Sequence, residues 1–338
     1  MTPLLELKNI VKRFPRGSGK TATGHLFALD DVNLCIRSGE TVGLMGESGA
    51  GKSTLARIAA GLVPPDHGHV MVDEHDISTF SEKQLQRNVW TRLQMVFQNV
   101  SGAFDPRFTM AETLCESLRL SGLKPSDHHS RSVELLREVD LGETYLERYP
   151  HELSTGEKQR ISLARTLAVS PELIILDEPV TALDITVAGK VLDLLARLKK
   201  RHRLSYLMVT HDLGILAFIA DRIGAMIDGR IVEIGSREDI LKAPVHPYTR
   251  YLVQVSRVLG NALKQGRKPV EMNGDTPSLL TEKPGYVPGT GATGGNGACC
   301  SYAGSCSRSR SACWHERPVL TTVNPGHLVA CHFLETQE

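Results

Sequence analysis

Residues 46–53, GESGAGKS, fit the pattern G-x-x-x-x-G-K-[ST] and are followed by Thr54. The apolar run TVGLM leads into them, and the Ala/Leu-rich stretch LARIAAGL leads out. Strand, glycine loop and helix in that order restrict the possible folds more than any other feature of the chain. Gly46, Gly49 and Gly51 let successive backbone N–H groups turn inward around phosphate oxygens, with Ser48 and Thr54 in the same cradle. Lys52 then reaches the β- and γ-phosphates of a nucleotide, and Ser53 offers its hydroxyl to Mg²⁺. The helix that follows faces the anion with its positive end. A similar-looking Gly19-Lys20-Thr21 fails the pattern, because the leading glycine position is Phe14 and no apolar strand runs into it. That segment reads as a loop.

The rest of the chain predicts an α/β core. LLELKNIVKRF and residues 26–36 read as strands. Residues 82–166 are mostly helical in pattern, with polar loops around 100–108 and 125–129. LIILDEP is a fully apolar strand, followed by a helix over 186–202, the strand SYLMVTH, a helix over 213–220 and the hairpin pattern RIGAMIDGRIVEIG. Buried apolar strands alternating with helices indicate a largely parallel sheet. After about residue 255 the chain turns rich in Gly and Pro, which reads as a linker and a loop-rich appendage needing a staple.

LIILDEP delivers Asp177 to the carboxyl edge of the sheet, where it can hold Mg²⁺ through the water shell. Glu178 comes next and can polarise a water in line with the γ-phosphate, a contribution of about 10²–10⁴ in rate. The formal net charge of +1 argues against a nucleic-acid partner, since both signs are interspersed. No apolar run reaches the roughly 18–20 residues of a spanning helix, and the N-terminus lacks a secretory pattern, so the expected location is the cytosol.

Further residues line up with one family. His151 to Arg160, HELSTGEKQR, resembles the LSGGQ signature of ABC ATPases; Gln98 in MVFQN resembles the Q-loop glutamine; Ala182-Leu183-Asp184 resembles the D-loop; His211 resembles the switch histidine. The resemblance covers about residues 4–252. It implies a P-loop NTPase core with a mainly parallel sheet (residues 1–255), an antiparallel β-subdomain, a helical lobe over about 92–166, and a Cys-containing extension over 256–338. It also implies that Ser154 and Gly156, with Asp184, contact ATP held in the loop of an opposing subunit. Gln98 would join Ser53 and Asp177 around Mg²⁺ and sense the γ-phosphate, His211 would hydrogen-bond the γ-phosphate, and Phe14 would stack on the adenine. Thr155 stands where the family has glycine; its β-branched side chain is expected to limit the backbone there and so to weaken the shared site, which pairing with a different ATPase chain would accommodate.

Two segments narrow the resemblance. QNVSGAFDPRFT and HPYTRYL are similar to the dipeptide, oligopeptide and nickel importer ATPases. Cys300, Cys306, Cys313 and Cys331, spaced C-x5-C-x6-C-x17-C, resemble the cysteine-rich extension of that group, which can hold a [4Fe–4S] cluster. Zinc would use the same ligands, and Cys299 could replace Cys300. The group implies ATP-driven uptake of peptides or a related small solute at the cytoplasmic face of the inner membrane. Its implied partners are two transmembrane permease subunits, a second ATPase subunit and an extracytoplasmic binding protein. The alternative is a soluble ABC ATPase of assembly or phosphonate-breakdown type.

Overall fold

The structure is a computed structural model that describes residues 2–15, 25–264 and 299–334. Strands β1 (Leu5–Pro15) and β2 (His25–Ile36) pair antiparallel. Strand β3 (Thr41–Met45) leads into helix α1 (Lys52–Ala59), and β4 (His67–Val72) and the short β5 (His75–Asp76) return to the first two strands. Together they form a four-stranded antiparallel sheet in the order β2-β1-β4-β5. Helix α2 (Glu82–Asn88) and strand β6 (Leu93–Val96) follow, then a helical lobe of α3 (Met110–Leu120), α4 (His128–Glu138) and α5 (Thr155–Leu167). The chain continues through β7 (Leu173–Asp177), α6 (Ile185–His202), β8 (Ser205–Val209), α7 (Leu213–Ile219) and the hairpin β9 (Arg222–Ile227) and β10 (Arg230–Ser236). Helices α8 (Arg237–Lys242) and α9 (Pro247–Lys264) close the core. Helix α10 (Ser311–His315) and strands β11 (Thr321–Asn324) and β12 (His327–Val329) lie in the C-terminal segment.

The main sheet runs β11-β12-β10-β9-β3-β8-β7-β6. Strands β9, β3, β8, β7 and β6 are parallel, and the remaining pairs are antiparallel. The central parallel strands β3, β7 and β8 are apolar along their middles and buried at every position, because both faces are covered. Leu173 and Ile175, with Leu207 and Val209, pack into the core shared with α1 and the antiparallel sheet. Ile174 and Leu176, with Tyr206 and Met208, point the other way, into the core shared with α5, α6 and the helical lobe. The period of two in a strand thus feeds two separate cores from one sequence run.

Helix starts follow local chemistry. Thr109 with Glu112, Ser154 with Glu157 and Ser236 with Asp239 form reciprocal capping boxes at α3, α5 and α8. Helix α6 ends in Lys199, Lys200, Arg201 and His202, positive charge against its negative end, and Arg203 turns left-handed at φ 54°.

Three elements depart from the sequence pattern. Residues 93–96 are the outermost parallel strand rather than part of the helical lobe, since four residues are too few for periodicity to separate strand from helix. Helix α9 runs through residue 255 without a break. The C-terminal segment is no detached appendage: β12 pairs antiparallel with β10, Glu233 opposite Val329, and continues the core sheet. Beneath that seam Glu233 is fully buried. Its carboxylate accepts from the amides of Val245 (2.8 Å) and His246 (2.9 Å), and its Oε1 lies 2.7 Å from His327 Nε2. Burial pushes its pKa up, yet the hydrogen bonds from His327 and the two amides outweigh burial and hold it below the ordinary glutamate value. The stabilisation is therefore complete at neutral pH and fades only as pH falls below that ordinary value. Glu233→Ala is expected to cost about 3–5 kcal/mol by stranding buried partners. Faster hydrogen exchange at Ala330, whose amide donates to Val232, would report it; wild-type exchange in the variant would deny the latch.

Candidate functional site

The carboxyl ends of β3, β8, β7 and β6 stand side by side in the sheet, so four stretches distant in sequence deliver their next residues to one edge. The loop after β3 wraps back on the start of α1. Lys52, almost fully buried, donates through Nζ to the carbonyls of Gly46 (2.7 Å) and Glu47 (2.9 Å). The loop needs glycine where it meets the hairpin and β2: a Cβ on Gly46 would sit 2.2 Å from the Met226 carbonyl oxygen, and one on Gly51, at φ 99°, 2.3 Å from that of Ala28. Gly49 is left-handed at φ 84°. Ser48, Ser53 and Thr54 occupy the turn and the first helical residues as the motif requires.

Burial lowers the pKa of Lys52, and the charges of Glu178, Asp177 and Glu47 oppose that effect. Asp177, at the end of β7, is buried, which raises its pKa against the hydrogen bond it accepts from Ser53 Oγ at 2.9 Å. A hydroxyl and a carboxylate already in contact form a hard oxygen donor set that fits Mg²⁺. Gln98 lies exposed just beyond β6, and among the described residues no hydrogen bond joins it to Ser53 or Asp177. The structure thus puts Ser53 and Asp177 in direct contact.

Glu178 adopts a left-handed backbone, φ 51°, and its amide donates to Val209 O at 2.9 Å. Such a conformation costs a non-glycine residue about 1–3 kcal/mol and is held here by its surroundings. Its carboxylate accepts from the Thr181 hydroxyl and from Thr210 Oγ1 (3.3 Å), and His211 Nδ1 lies 2.9 Å from Oε1. With the carboxylate ionised, Nδ1 carries the hydrogen, so a neutral ring leaves Nε2 as an acceptor. Donating to a phosphate from Nε2 at the same time requires the imidazolium. His211 was aimed at the γ-phosphate by the sequence; the structure pairs it first with Glu178. Thr181 and Thr210 were not singled out, although Thr210 directly precedes His211 and a hydroxyl at a strand end is a common orienting group.

A second group gathers on α5 and α6. Ser154 caps α5, accepting from the Glu157 amide, and its own hydroxyl donates to Glu157 Oε2 at 2.7 Å. The Tyr145 hydroxyl and Ser154 hold the Glu157 carboxyl down at about 2. Asp184 caps α6 through Val187, amide to Oδ1 at 3.1 Å. A Cβ on Gly156 would meet Val187 at 2.5 Å, so glycine there is what lets the signature segment approach the helix that Asp184 begins. Thr155 is the first residue of α5 and is not among the left-handed residues. The expected backbone penalty at Thr155 therefore does not arise. Phe14, near the end of β1, is exposed, with Lys12 Nζ 5.8 Å from its ring centroid.

In the C-terminal segment, Cys300, Cys306, Cys313 and Cys331 line one cavity with Tyr302, His332 and Phe333. Burial pushes Cys300 up to about 11, and the neighbouring thiols add to the shift. Cys299 is not part of that lining; its carbonyl accepts from Arg230 at 3.1 Å. Among the described residues no group of three or more His, Cys, Asp or Glu side chains is gathered to hold a single metal ion. No helix among them is long and apolar enough to cross a membrane.

Residues 29–181 match the model of the ABC transporter family, and residues 232–313 match the oligopeptide/dipeptide transporter C-terminal region. The oligopeptide transport ATP-binding protein AppF of Bacillus subtilis is 34% identical, covering 97% of each chain. The putative oligopeptide transport ATP-binding protein YkfD of the same organism is 36% identical over 99% of this chain and 97% of its own. A putative peptide import ATP-binding protein of Brucella ovis is 35% identical over 98% of each. Among solved structures, the dimeric post-hydrolysis ATP-binding cassette MJ0796 bound to ADP and Pi is similar with a TM-score of 0.61 and 29% identity, covering 69% of this chain and 98% of that one. The chain thus belongs to the ABC transporter family, in its oligopeptide/dipeptide branch, and is an ABC-type ATPase.

Proposed function

We propose that this chain couples ATP binding and hydrolysis to the import of peptides or a related small solute. The observation that carries this reading is its likeness, over nearly the whole length, to peptide import ATP-binding proteins, including the C-terminal region that β12 joins to the core sheet. The same region weighs against a soluble ATPase without a transport role.

In this reading Gly46, Ser48, Gly49, Gly51, Lys52, Ser53 and Thr54 cradle the phosphates, and Ser53 and Asp177 hold Mg²⁺, with Gln98 joining when nucleotide is present. Glu178 takes the proton from the attacking water, and His211 holds that carboxylate in place and then meets the γ-phosphate. Phe14 stacks on adenine. Ser154, Gly156 and Asp184 face the nucleotide of a second ATPase subunit, as the dimeric state of the cassette MJ0796 supports. Two permease subunits and an extracytoplasmic binding protein complete the importer, with this chain peripheral at the cytoplasmic face of the inner membrane.

The cysteine cavity suits a [4Fe–4S] cluster: four thiols and an apolar wall meet in one place. Zinc would take the same four thiolates tetrahedrally, each sulfur about 2.3 Å from the ion. The cluster would tie together a segment that carries little core of its own.

Two measurements test the reading. The complex, reconstituted in vesicles with both permeases, the second ATPase and the binding protein, is expected to accumulate peptide only with ATP; intact hydrolysis without uptake would overturn the transport assignment. Protein purified without oxygen is expected to carry about four irons and four sulfides per chain, lost in Cys306→Ser and Cys313→Ser. Metal-free protein with normal nucleotide binding would remove the cluster and leave the ATPase.

A further inference from the structure

The HPYTRYL segment has a physical role that its value as a family marker does not explain. Tyr248, in the first turn of α9, is almost fully buried behind the phosphate loop. Its hydroxyl accepts from the Glu47 amide at 3.1 Å and donates to the Met226 carbonyl at 3.5 Å. Both partners matter to the loop. The Glu47 carbonyl is one of the two that hold Lys52 Nζ, and it also accepts from the Ala50 amide at 3.2 Å. The Met226 carbonyl is the wall that forbids a side chain at Gly46. A single hydroxyl therefore connects the loop's first turn to the hairpin behind it.

The ring of Tyr248 is held from the other side by the C-terminal segment. Its centroid lies 5.4 Å from that of Tyr302, tilted at 55°. Tyr302 sits between Cys300 and Cys306, lines the cysteine cavity, and also meets His246 at 6.2 Å. The base of this arrangement is fixed: the His246 amide is bound to Glu233, and the Tyr248 amide donates to His246 Nδ1 at 3.1 Å.

We propose that Tyr248 is a positioning residue of the phosphate loop and that Tyr302 holds it in place, so that the packing of the C-terminal cysteine segment tunes nucleotide affinity. A tilted aromatic pair of this spacing is a directional contact as well as buried area. Without the Tyr302 ring, Tyr248 gains room to turn, its hydroxyl leaves the Glu47 amide, and the carbonyl that orients Lys52 loosens. The inference rests on the reading that nucleotide binds at this loop.

The test is equilibrium binding of a fluorescent ATP analogue with Mg²⁺ to the full chain, together with hydrogen exchange over residues 46–51. Tyr248→Phe keeps the ring and loses the hydroxyl, and is expected to raise Kd about three- to tenfold, the worth of one neutral hydrogen bond. Tyr302→Ala is expected to move Kd the same way, and Tyr302→Phe, which restores the ring, to bring it back. The double variant Tyr248→Phe/Tyr302→Ala is expected to bind no more weakly than the worse single, because both act on one contact. Exchange over the loop quickens in both single variants while the number of binding sites per chain stays unchanged; a merely structural defect would lower that number and leave Kd alone. Wild-type Kd in Tyr248→Phe, or full additivity in the double variant, would overturn the relay. Lys52→Ala separates the two readings: if it loses affinity while the tyrosine variants do not, only the relay fails. If it keeps affinity, the phosphate site itself is misplaced and the relay fails with it.

Discussion

Glu178→Gln is expected to bind ATP as the wild type does and to hydrolyse it about 10²–10⁴-fold more slowly. The amide has nearly the same shape, and its oxygen can still accept from Thr181 and Thr210. What it loses is the ability to take a proton from water. Affinity is expected to be retained because the groups proposed to hold the phosphates, Lys52, Ser53 and the loop amides, are untouched; removing one negative charge beside Lys52 can only favour the anion. The measurement is phosphate release by the assembled complex beside nucleotide titration. Wild-type turnover in this variant would remove Glu178 from the role of base and leave its left-handed backbone and three side-chain partners without a function.

Lys52→Ala is expected to weaken ATP binding by about a hundredfold, from the loss of charge-assisted hydrogen bonds to phosphate. Lys52 is a cation set among Asp177, Glu178 and Glu47. Without it, these three carboxylates confront the polyphosphate and repel it. The loop itself would lose two hydrogen bonds, those to the Gly46 and Glu47 carbonyls, so part of the effect is a less ordered cradle. Nucleotide titration by fluorescence or calorimetry reads this directly. Unchanged affinity would place the phosphate site elsewhere on the molecule.

The contrast between these two residues and Tyr248 shows where sequence reading stops. Lys52 and Glu178 stand in local patterns: a glycine loop between strand and helix, and an acid pair at the end of an apolar strand. Each pattern is short because the chemistry proposed for it needs only neighbours in sequence. Tyr248 acts on Glu47 across the fold, and nothing near either residue in the chain announces the other. The same holds for Glu233, a glutamate in a strand pattern, which only the buried seam with His327 makes a latch.

By itself the sequence determined the parallel core and the branch of the family, and it marked the glycine loop and the acid pair as the candidate site. These rest on residue spacing along one strand, loop or helix, which the period of the backbone translates into position. It did not determine that residues 93–96 form an edge strand, that the C-terminal hairpin continues the main sheet, or that His211 pairs with Glu178. Those depend on which strand ends lie side by side. That order is decided by long-range packing of two cores against one sheet, a free energy spread over many distant side chains and written in no single segment.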